Sequence, residues 1–146
     1  MHQEYHRENF VISTDPSRFD LDLIQGFLYQ SHWARGIPKQ TVMRSVEGSL
    51  CFGVYDGEGQ VGFARVVTDR ATFAYLADVF IVESHRSAGL SKWLMEVIMR
   101  HPDLQGLRRW HLVTRDAHGL YANFGFTPLQ SPEWHMEIFL GDIYLR

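Results

Sequence analysis

The sequence has little cysteine, no long apolar run and a small net charge, and each of these argues against a common class of protein. It contains one cysteine, Cys51, among 146 residues, which excludes an intrachain disulfide and suits a reducing cytoplasm. No apolar run approaches the length of a membrane span, and residues 1–4 do not resemble a signal peptide. A formal net charge of −3 gives no reason to expect nucleic acid or a membrane as a partner. We therefore expect a cytoplasmic protein.

What the sequence does contain is typical of one globular domain. A hydrophobic content of 45% and a charged content of 21% are ordinary for such a domain, and 146 residues are long enough for a core but short for two domains. We therefore expect a single domain over residues 1–146. The eight histidines form no tight helical pair with an acidic partner, so we predict no metal site.

Residues 75–99 are the most informative stretch. Residues 79–82 are apolar and β-branched or aromatic, which predicts a strand buried on both faces. Small and polar residues follow at 83–89, and apolar residues then recur over 90–98 at the spacing of one helical face. A loop between a strand and a helix aims several backbone N–H groups at one point, where a phosphate is stabilised.

Two common phosphate-binding loops do not fit this stretch. A P-loop needs Lys followed by Ser or Thr after its second glycine, and a dinucleotide fingerprint needs three glycines. This loop has one glycine, and its Ser91-Lys92 is in the wrong order. Residues 86–91, Arg-Ser-Ala-Gly-Leu-Ser, instead resemble the acyl-CoA pyrophosphate loop of the GNAT N-acetyltransferase superfamily, Q/R-x-x-G-x-G/A. Arg86 and Gly89 match this pattern, and Ser91 departs from it.

The hydrophobic pattern predicts the element order β α α β β β α β α β β. The predicted strands cover residues 5–13, 50–55, 61–68, 72–82, 109–114, 126–129 and 136–140, with a hairpin turn at 56–59. The predicted helices begin near Thr14 or Asp15, at 39, after the loop at 89, and at 116. A strand, crossover helix and strand between residues 79 and 113 implies one parallel pair in an otherwise antiparallel sheet.

Two more motifs and the element order extend the resemblance. Residues 117–126 are similar to the family signature A-x-x-x-Y-x-x-x-G-F, and residues 76–82 resemble the family strand E-D-x-x-V, with Ala77 at the Glu position. The resemblance implies an α+β fold with α/β/α layers and about four helices. Its sheet would be mixed and mostly antiparallel, with about seven strands, and a central parallel pair would splay around the cofactor.

The resemblance also implies an activity and a set of site residues. The protein would be an N-acetyltransferase that moves an acetyl group from acetyl-CoA to a primary amine by direct attack in a ternary complex, and we expect that amine to belong to a small molecule. Tyr121 would be the general acid, because a phenol with a pKa near 10 can protonate a thiolate whose conjugate acid has a pKa of about 8.5. The residues expected to bind acetyl-CoA are Phe80, Ile81, Val82, Arg86, Ser87, Ala88, Gly89, Leu90, Ser91, Thr114 and Tyr121. The N–H of Phe80 or Ile81 would polarise the thioester carbonyl.

The acceptor side is less defined by the sequence. We expect Trp33, Asp78 and His118 to contact the acceptor, although strand alternation predicts that Asp78 points away from the face that carries Ala77. The general base has several candidates, namely His32, Glu47, His111, His118, Glu133 and a chain of water molecules.

Other functions remain as alternatives. The same fold could be a non-catalytic acyl-CoA-binding or sensing module, an acetyltransferase of protein N-termini or lysines, or a phosphate-ligand domain unrelated to CoA. An exposed final strand at residues 136–140 could pair across a homodimer.

Overall fold

The computed structural model describes residues 1–57 and 59–146 and has a six-stranded sheet at its centre. The strands are β1 (Glu4–Arg7), β2 (Phe10–Ser13), β3 (Leu50–Asp56), β4 (Gly59–Thr68), β5 (Phe73–Ile81) and β6 (Arg109–Leu112). The helices are α1 (Leu21–Gln30), α2 (Lys39–Glu47), α3 (Leu90–Arg100) and α4 (His118–Ala122). Strands follow one another in sequence order, and among the described residues β5 and β6 form the one parallel pair. Within the described residues, no helix combines the length and the apolar character needed to cross a membrane.

The sheet is sandwiched between helices, which confirms the predicted α/β/α layers. One apolar cluster joins the sheet to α3 and includes Ile12, Phe52, Val54, Val66, Leu76, Leu94 and Ile98. A second cluster joins the opposite face to α1 and α2 and includes Ile24, Leu28, Val42, Cys51, Phe63 and Phe80. Neighbouring strand residues such as Cys51 and Phe52 fall in different clusters, as the alternation of side chains along a strand requires.

Several element boundaries differ from the prediction. The first strand is a hairpin of β1 and β2, with Glu8 at a positive φ of 52° in its turn. Residues before α1 form a short 3-10 turn capped by Asp15, and α1 itself begins later, where the Asp20 side chain accepts a hydrogen bond from the N–H of Leu23. Glu58, in the predicted hairpin turn, lies outside the described residues.

The two final predicted strands, 126–129 and 136–140, are not strands in the described part of the chain. A strand requires a hydrogen-bonded neighbour, and no described residue forms one on the outer side of β6, where the sheet ends. The sheet therefore has six strands instead of the predicted seven or so, while the mixed topology with one parallel pair is confirmed.

A gap opens between the two parallel strands. Residues 73–76 of β5 pair with all of β6, from Phe73 opposite Arg109 to Leu76 opposite Leu112. Beyond that point β5 continues to Ile81 with β4 as its only strand neighbour among the described residues. The backbone edge of residues 77–81 therefore borders an open cleft, as the splayed pair implied by the resemblance requires.

A β-bulge in β5 changes which side chains face this region. Phe80 pairs with Phe63 and Ala77 with Arg65, so two β5 residues, Asp78 and Val79, stand opposite a single β4 residue. Asp78 has a φ of 55°, a left-handed conformation that Asp tolerates better than most residues. The extra residue turns the Asp78 side chain onto the face of the sheet that packs against α1 and α2. The prediction that Asp78 points away from the face that carries Ala77 is therefore wrong.

Candidate active site

The loop between β5 and α3 ends in a cluster of unpaired backbone N–H groups. Ser87 has a φ of 69° and Gly89, which caps the helix, has a φ of 75°. No side chain caps the 11-residue helix α3, and in the described part of the chain no protein atom accepts a hydrogen bond from the N–H groups of residues 87–91. These donors and the positive end of the helix dipole meet at one place, which makes it suited to bind an anion.

The loop is tied to the sheet at two points. Arg86 Nε donates a hydrogen bond to the carbonyl oxygen of Ile81 over 3.0 Å. The His85 ring bonds through Nε2 to Asp56 Oδ2 and through Nδ1 to Ser84 Oγ, each over 2.8 Å. Arg86 and His85 therefore hold the N–H groups of the loop in a fixed position relative to β3 and β5.

The backbone of β5 presents one N–H group per two residues to the open cleft. The N–H of Val82 donates to the carbonyl of Val61 over 2.8 Å, on the β4 side of the strand. Because N–H groups alternate between the two edges of a strand, the N–H of Phe80 also points to β4, whereas that of Ile81 points to the cleft. Of the two backbone donors that were predicted to polarise the thioester, Phe80 and Ile81, it is therefore Ile81 whose N–H faces the cleft.

Tyr121 lies in α4, which follows β6. Its ring is half-buried against the apolar cluster that Val79 and Val82 also contact, and it meets the Phe126 ring edge-on at 6.0 Å. Burial raises the pKa of the Tyr121 hydroxyl above its ordinary value, and the nearby negative charge of Asp116 raises that pKa further. Tyr121 therefore keeps its proton at neutral pH.

A polar cluster forms where the break between α1 and α2 meets the bulge of β5. The Asp78 carboxylate accepts hydrogen bonds from Trp33 Nε1 over 3.0 Å and from Arg65 Nε over 2.7 Å. The side chains of Arg65 and Asp78 are only 18% and 9% exposed, so this ion pair is largely removed from water. The structure thus brings together two predicted acceptor residues and adds Arg65, which sequence reasoning missed.

Aromatic rings continue this cluster. Phe27 stacks on Phe80 with ring centroids 3.9 Å apart and an interplanar angle of 7°. Trp33 lies 6.3 Å from Phe27 and 5.1 Å from the ring of His32, centroid to centroid. Phe27, His32 and Trp33 line an open recess of about 430 Å³. A recess of similar volume, about 450 Å³, lies between β1 and α3 and contains none of these residues, so volume alone does not locate the site.

The remaining predicted residues are placed elsewhere. Thr114 Oγ1 accepts a hydrogen bond from the N–H of Ala117 over 3.0 Å and so stabilises the turn before α4. His118 is exposed at the start of α4, with no hydrogen bond or ion pair to Trp33 or Asp78. His111 stacks on Tyr75 with a centroid distance of 5.7 Å. Among the described residues, no three His, Cys, Asp or Glu side chains are arranged to hold a metal ion.

Sequence reasoning did not assign Arg65 or Phe27 to the site, and the sequence offers a clue to only one of them. Arg65 is the one charged residue in the apolar run 61–67, and an unpaired charge is costly in a buried strand, which predicts a partner. Phe27 gives no such clue, because an apolar residue on α1 fits a purely structural position equally well.

Comparison with known proteins identifies relatives along most of the chain. Residues 47–128 match the family model described as an acetyltransferase (GNAT) domain. A Gibberella zeae protein named as a candidate acetyltransferase is 32% identical over 143 residues, with 82% of this chain and 80% of that protein covered.

Solved structures show the same fold. The crystal structure of a candidate GNAT-family acetyltransferase from Xanthomonas campestris pv. campestris is 50% identical, with a TM-score of 0.93 over 95% of this chain and 99% of that chain. The crystal structure of a candidate acetyltransferase from Clostridium acetobutylicum, determined with acetyl-CoA, is 10% identical. It has a TM-score of 0.63 and covers 95% of this chain and 96% of that chain.

Proposed function

The chain belongs to the GNAT family and is an acyltransferase, and from that premise we propose that it moves an acetyl group from acetyl-CoA to a small primary amine. The observation that carries the proposal is the set of unpaired N–H groups of residues 87–91 beside the open backbone edge of β5. An acyl-CoA has a pyrophosphate that suits the first feature and a pantetheine arm with two amides that suits the second.

On the donor side, most of the proposed contacts with acetyl-CoA come from backbone groups. The N–H groups of residues 87–91 bind the pyrophosphate, and the cleft edge of Phe80, Ile81 and Val82 aligns the pantetheine arm. Acetyl-CoA, when bound, supplies an acetyl group activated as a thioester. The N–H of Ile81 polarises the carbonyl of that group, a role that suits a fixed backbone donor at the edge of a cleft.

Tyr121 acts as the general acid. Its raised pKa keeps the hydroxyl protonated at neutral pH, so that the proton is available to the thiolate that leaves during transfer. Phe126 and the surrounding apolar residues hold the ring in place.

On the acceptor side, Trp33 and Asp78 orient the amine. Because Arg65 and Trp33 already hydrogen-bond both carboxylate oxygens of Asp78, this residue is better suited to positioning than to taking a proton. The candidates for the general base are His32, Glu47, His111, His118, Glu133 and a chain of water molecules. The wall of Phe27 and Trp33 favours an amine that carries an apolar or aromatic group.

We also propose that the enzyme acts in the cytoplasm and as a homodimer. The single cysteine, Cys51, is free and buried, which suits a reducing compartment. Apolar side chains left exposed by the C-terminal residues favour a dimer.

The proposal is tested by calorimetric titration with acetyl-CoA, CoA and ADP in parallel, followed by a panel of amines monitored by thiol release. We expect micromolar binding of both CoA species, weaker binding of ADP, and thiol release with some amines. Gly89→Val should weaken binding, whereas Gly26→Ala, in an open position on α1, should not. Binding without thiol release for any small amine or peptide would indicate a sensing module. No binding of acetyl-CoA or CoA would refute the proposal.

A further inference from the structure

The recess beside the break between α1 and α2 adjoins the cleft along β5. Phe27, which lines the recess, stacks on Phe80 with ring centroids 3.9 Å apart. Phe80 directly precedes Ile81, whose N–H faces the cleft. Trp33, which also lines the recess, is hydrogen-bonded through Nε1 to Asp78 of the same strand. A molecule in this recess would therefore lie next to the place proposed for the thioester.

The recess has the size and the aromatic lining of a small-molecule site. Its volume of about 430 Å³ lies within the range of about 300–1,000 Å³ that is usual for ligand pockets. Its two aromatic walls are held in place, one by the stacking on β5 and the other by the hydrogen bond to β5. In the described part of the chain, the lining residues are Phe27, Gln30, Ser31, His32, Trp33 and Arg35.

The permanent charge in this lining is positive. Arg35 is exposed, and it forms no ion pair with another described residue. Among the residues that the structure describes, no Asp or Glu lines the recess, although the chain has a formal net charge of −3. A guanidinium presents several N–H donors in one plane, and their spacing matches the two oxygens of a carboxylate. The recess therefore suits a ligand that combines an aromatic group with a carboxylate.

The end of α1 does not need Arg35 as a cap. The Ser31 hydroxyl donates a hydrogen bond to the carbonyl of Leu28 over 2.7 Å. The carbonyl of Tyr29 accepts the N–H of Gly36 over 2.9 Å. These carbonyl groups at the end of the helix are thus satisfied by the loop itself, so a structural role at the helix end does not explain the position of Arg35.

We propose that the acceptor is an amine that carries both an aromatic group and a carboxylate, as an aromatic amino acid does, and that Arg35 binds the carboxylate. The aromatic group lies against Phe27 and Trp33, and the amine lies on the Asp78 side, towards the thioester. Because it names the acceptor of the same reaction, this inference rests on the proposed function. Arg35 is then a specificity-determining residue, and a polyamine should be a poor acceptor because its second positive charge is repelled there.

Binding of 3-phenylpropionate, which has the ring and the carboxylate but no amine, tests the anion site without turnover. The probe is the indole N–H signal of Trp33 in a ¹⁵N NMR spectrum, identified by its loss in Trp33→Phe. We expect 3-phenylpropionate to shift this signal and to bind about tenfold or more tightly than the neutral 3-phenylpropanamide, because hydrogen bonds between charged partners are stronger. Arg35→Gln should remove this difference, and Arg35→Lys should keep part of it. Arg44→Gln, at an exposed arginine on α2, should leave the difference unchanged.

Turnover separates this inference from the proposed function. We expect the ratio of kcat/KM for phenylalanine to that for phenylalaninamide to be about tenfold or more higher in the native protein than in Arg35→Gln. Comparing this ratio between proteins cancels the different basicity of the two amines, and circular dichroism establishes that the variants are folded. An equal ratio in both proteins, or equal binding of the two phenyl compounds, would refute the carboxylate site and leave the proposed function intact. Absence of thiol release with every amine would refute the proposed function and the acceptor with it.

Discussion

Asp78 Oδ2 lies 2.7 Å from Arg65 Nε, although alternation continued from Ala77, which pairs with Arg65, would place the Asp78 side chain on the opposite face of the sheet. The bulge at Asp78 and Val79 brings the pair together. A local irregularity of the backbone thus supplies a nearly buried ion pair next to Trp33, at the edge of the proposed acceptor site.

Removal of one partner of this ion pair should destabilise the protein strongly. Arg65→Met leaves the Asp78 carboxylate poorly solvated and without its cation, so we expect the free energy of unfolding to fall by about 3 kcal/mol. The second substitution Asp78→Asn should recover part of the loss, because the amide oxygen still accepts the Trp33 N–H. Urea unfolding of the two single variants and the double variant measures the coupling. Additive effects would contradict a direct interaction.

Gly89→Ala should weaken acetyl-CoA binding through backbone conformation. Apart from its chain neighbours, no described residue has an atom within 4 Å of a Cβ at this position, but the φ of 75° costs a residue with a side chain about 1 kcal/mol. Relief of that strain would rotate the N–H groups of the loop away from the anion. We expect a several-fold higher dissociation constant by calorimetry, together with lower stability.

Gly26→Ala is the matched control for this substitution. Gly26 also has open space around it but lies within α1, where Ala is favoured by about 1 kcal/mol. This variant should be more stable and should bind acetyl-CoA normally. Equal loss of affinity in both variants would show that Gly89 has no special role in the loop.

The loop before α3, which is the proposed pyrophosphate site, could be predicted from sequence because its determinants are local. Apolar residues at 79–82, the glycine at 89 and the helical spacing after it lie within one short stretch. The polar cluster of Trp33, Arg65 and Asp78 could not be predicted in the same way. Its geometry depends on the register between β4 and β5, and Trp33 reaches Asp78 across 45 positions of the chain.

The C-terminal strands show a different limit of sequence reasoning. The alternation of residues 136–140 indicates a strand, yet a strand forms only when another strand edge is available to it. In the described part of the chain, residues 136–140 pair with no strand edge. The local preference of these residues for an extended conformation therefore does not produce a strand.

Tyr121→Phe should lower turnover without changing cofactor affinity. The substitution keeps the ring that packs near Phe126 and removes only the proton donor, so we expect kcat to fall by about 100-fold or more. The dissociation constant of acetyl-CoA should stay the same. Tyr29→Phe, at an exposed position on α1, is the control and should leave kcat unchanged.

The pH profile of the same reaction provides a second test of Tyr121. A general acid is active while protonated, and burial raises the pKa of this hydroxyl above its usual value of about 10. The contribution of Tyr121 to kcat should therefore persist to a pH of about 10 and be lost above it. A loss that tracks a pKa near 7 would assign the proton transfer to another group.

Burial of Cys51 should make the protein less stable in alkaline solution. Burial raises the pKa of its thiol to about 12, whereas the thiol of an unfolded chain has a pKa of about 8.5. The thiol titrates first in the unfolded state, so its contribution to stability is full below pH of about 8.5 and declines as pH rises toward the folded pKa. By linkage, the free energy of unfolding should fall by about 1.4 kcal/mol between pH of roughly 7.5 and 9.5.

Cys51→Ala isolates this contribution, because it removes the titrating group while other groups keep their own pH dependence. Urea unfolding at the two pH values should show a smaller decrease in the variant, by about the same 1.4 kcal/mol. The native thiol should also be unreactive toward a disulfide reagent near neutral pH and react fully in urea, since Cys51 is only 3% exposed. An equal decrease in both proteins, or rapid reaction of the native thiol, would show that Cys51 is reached by solvent. The thiol-release assay would then need correction for the protein itself.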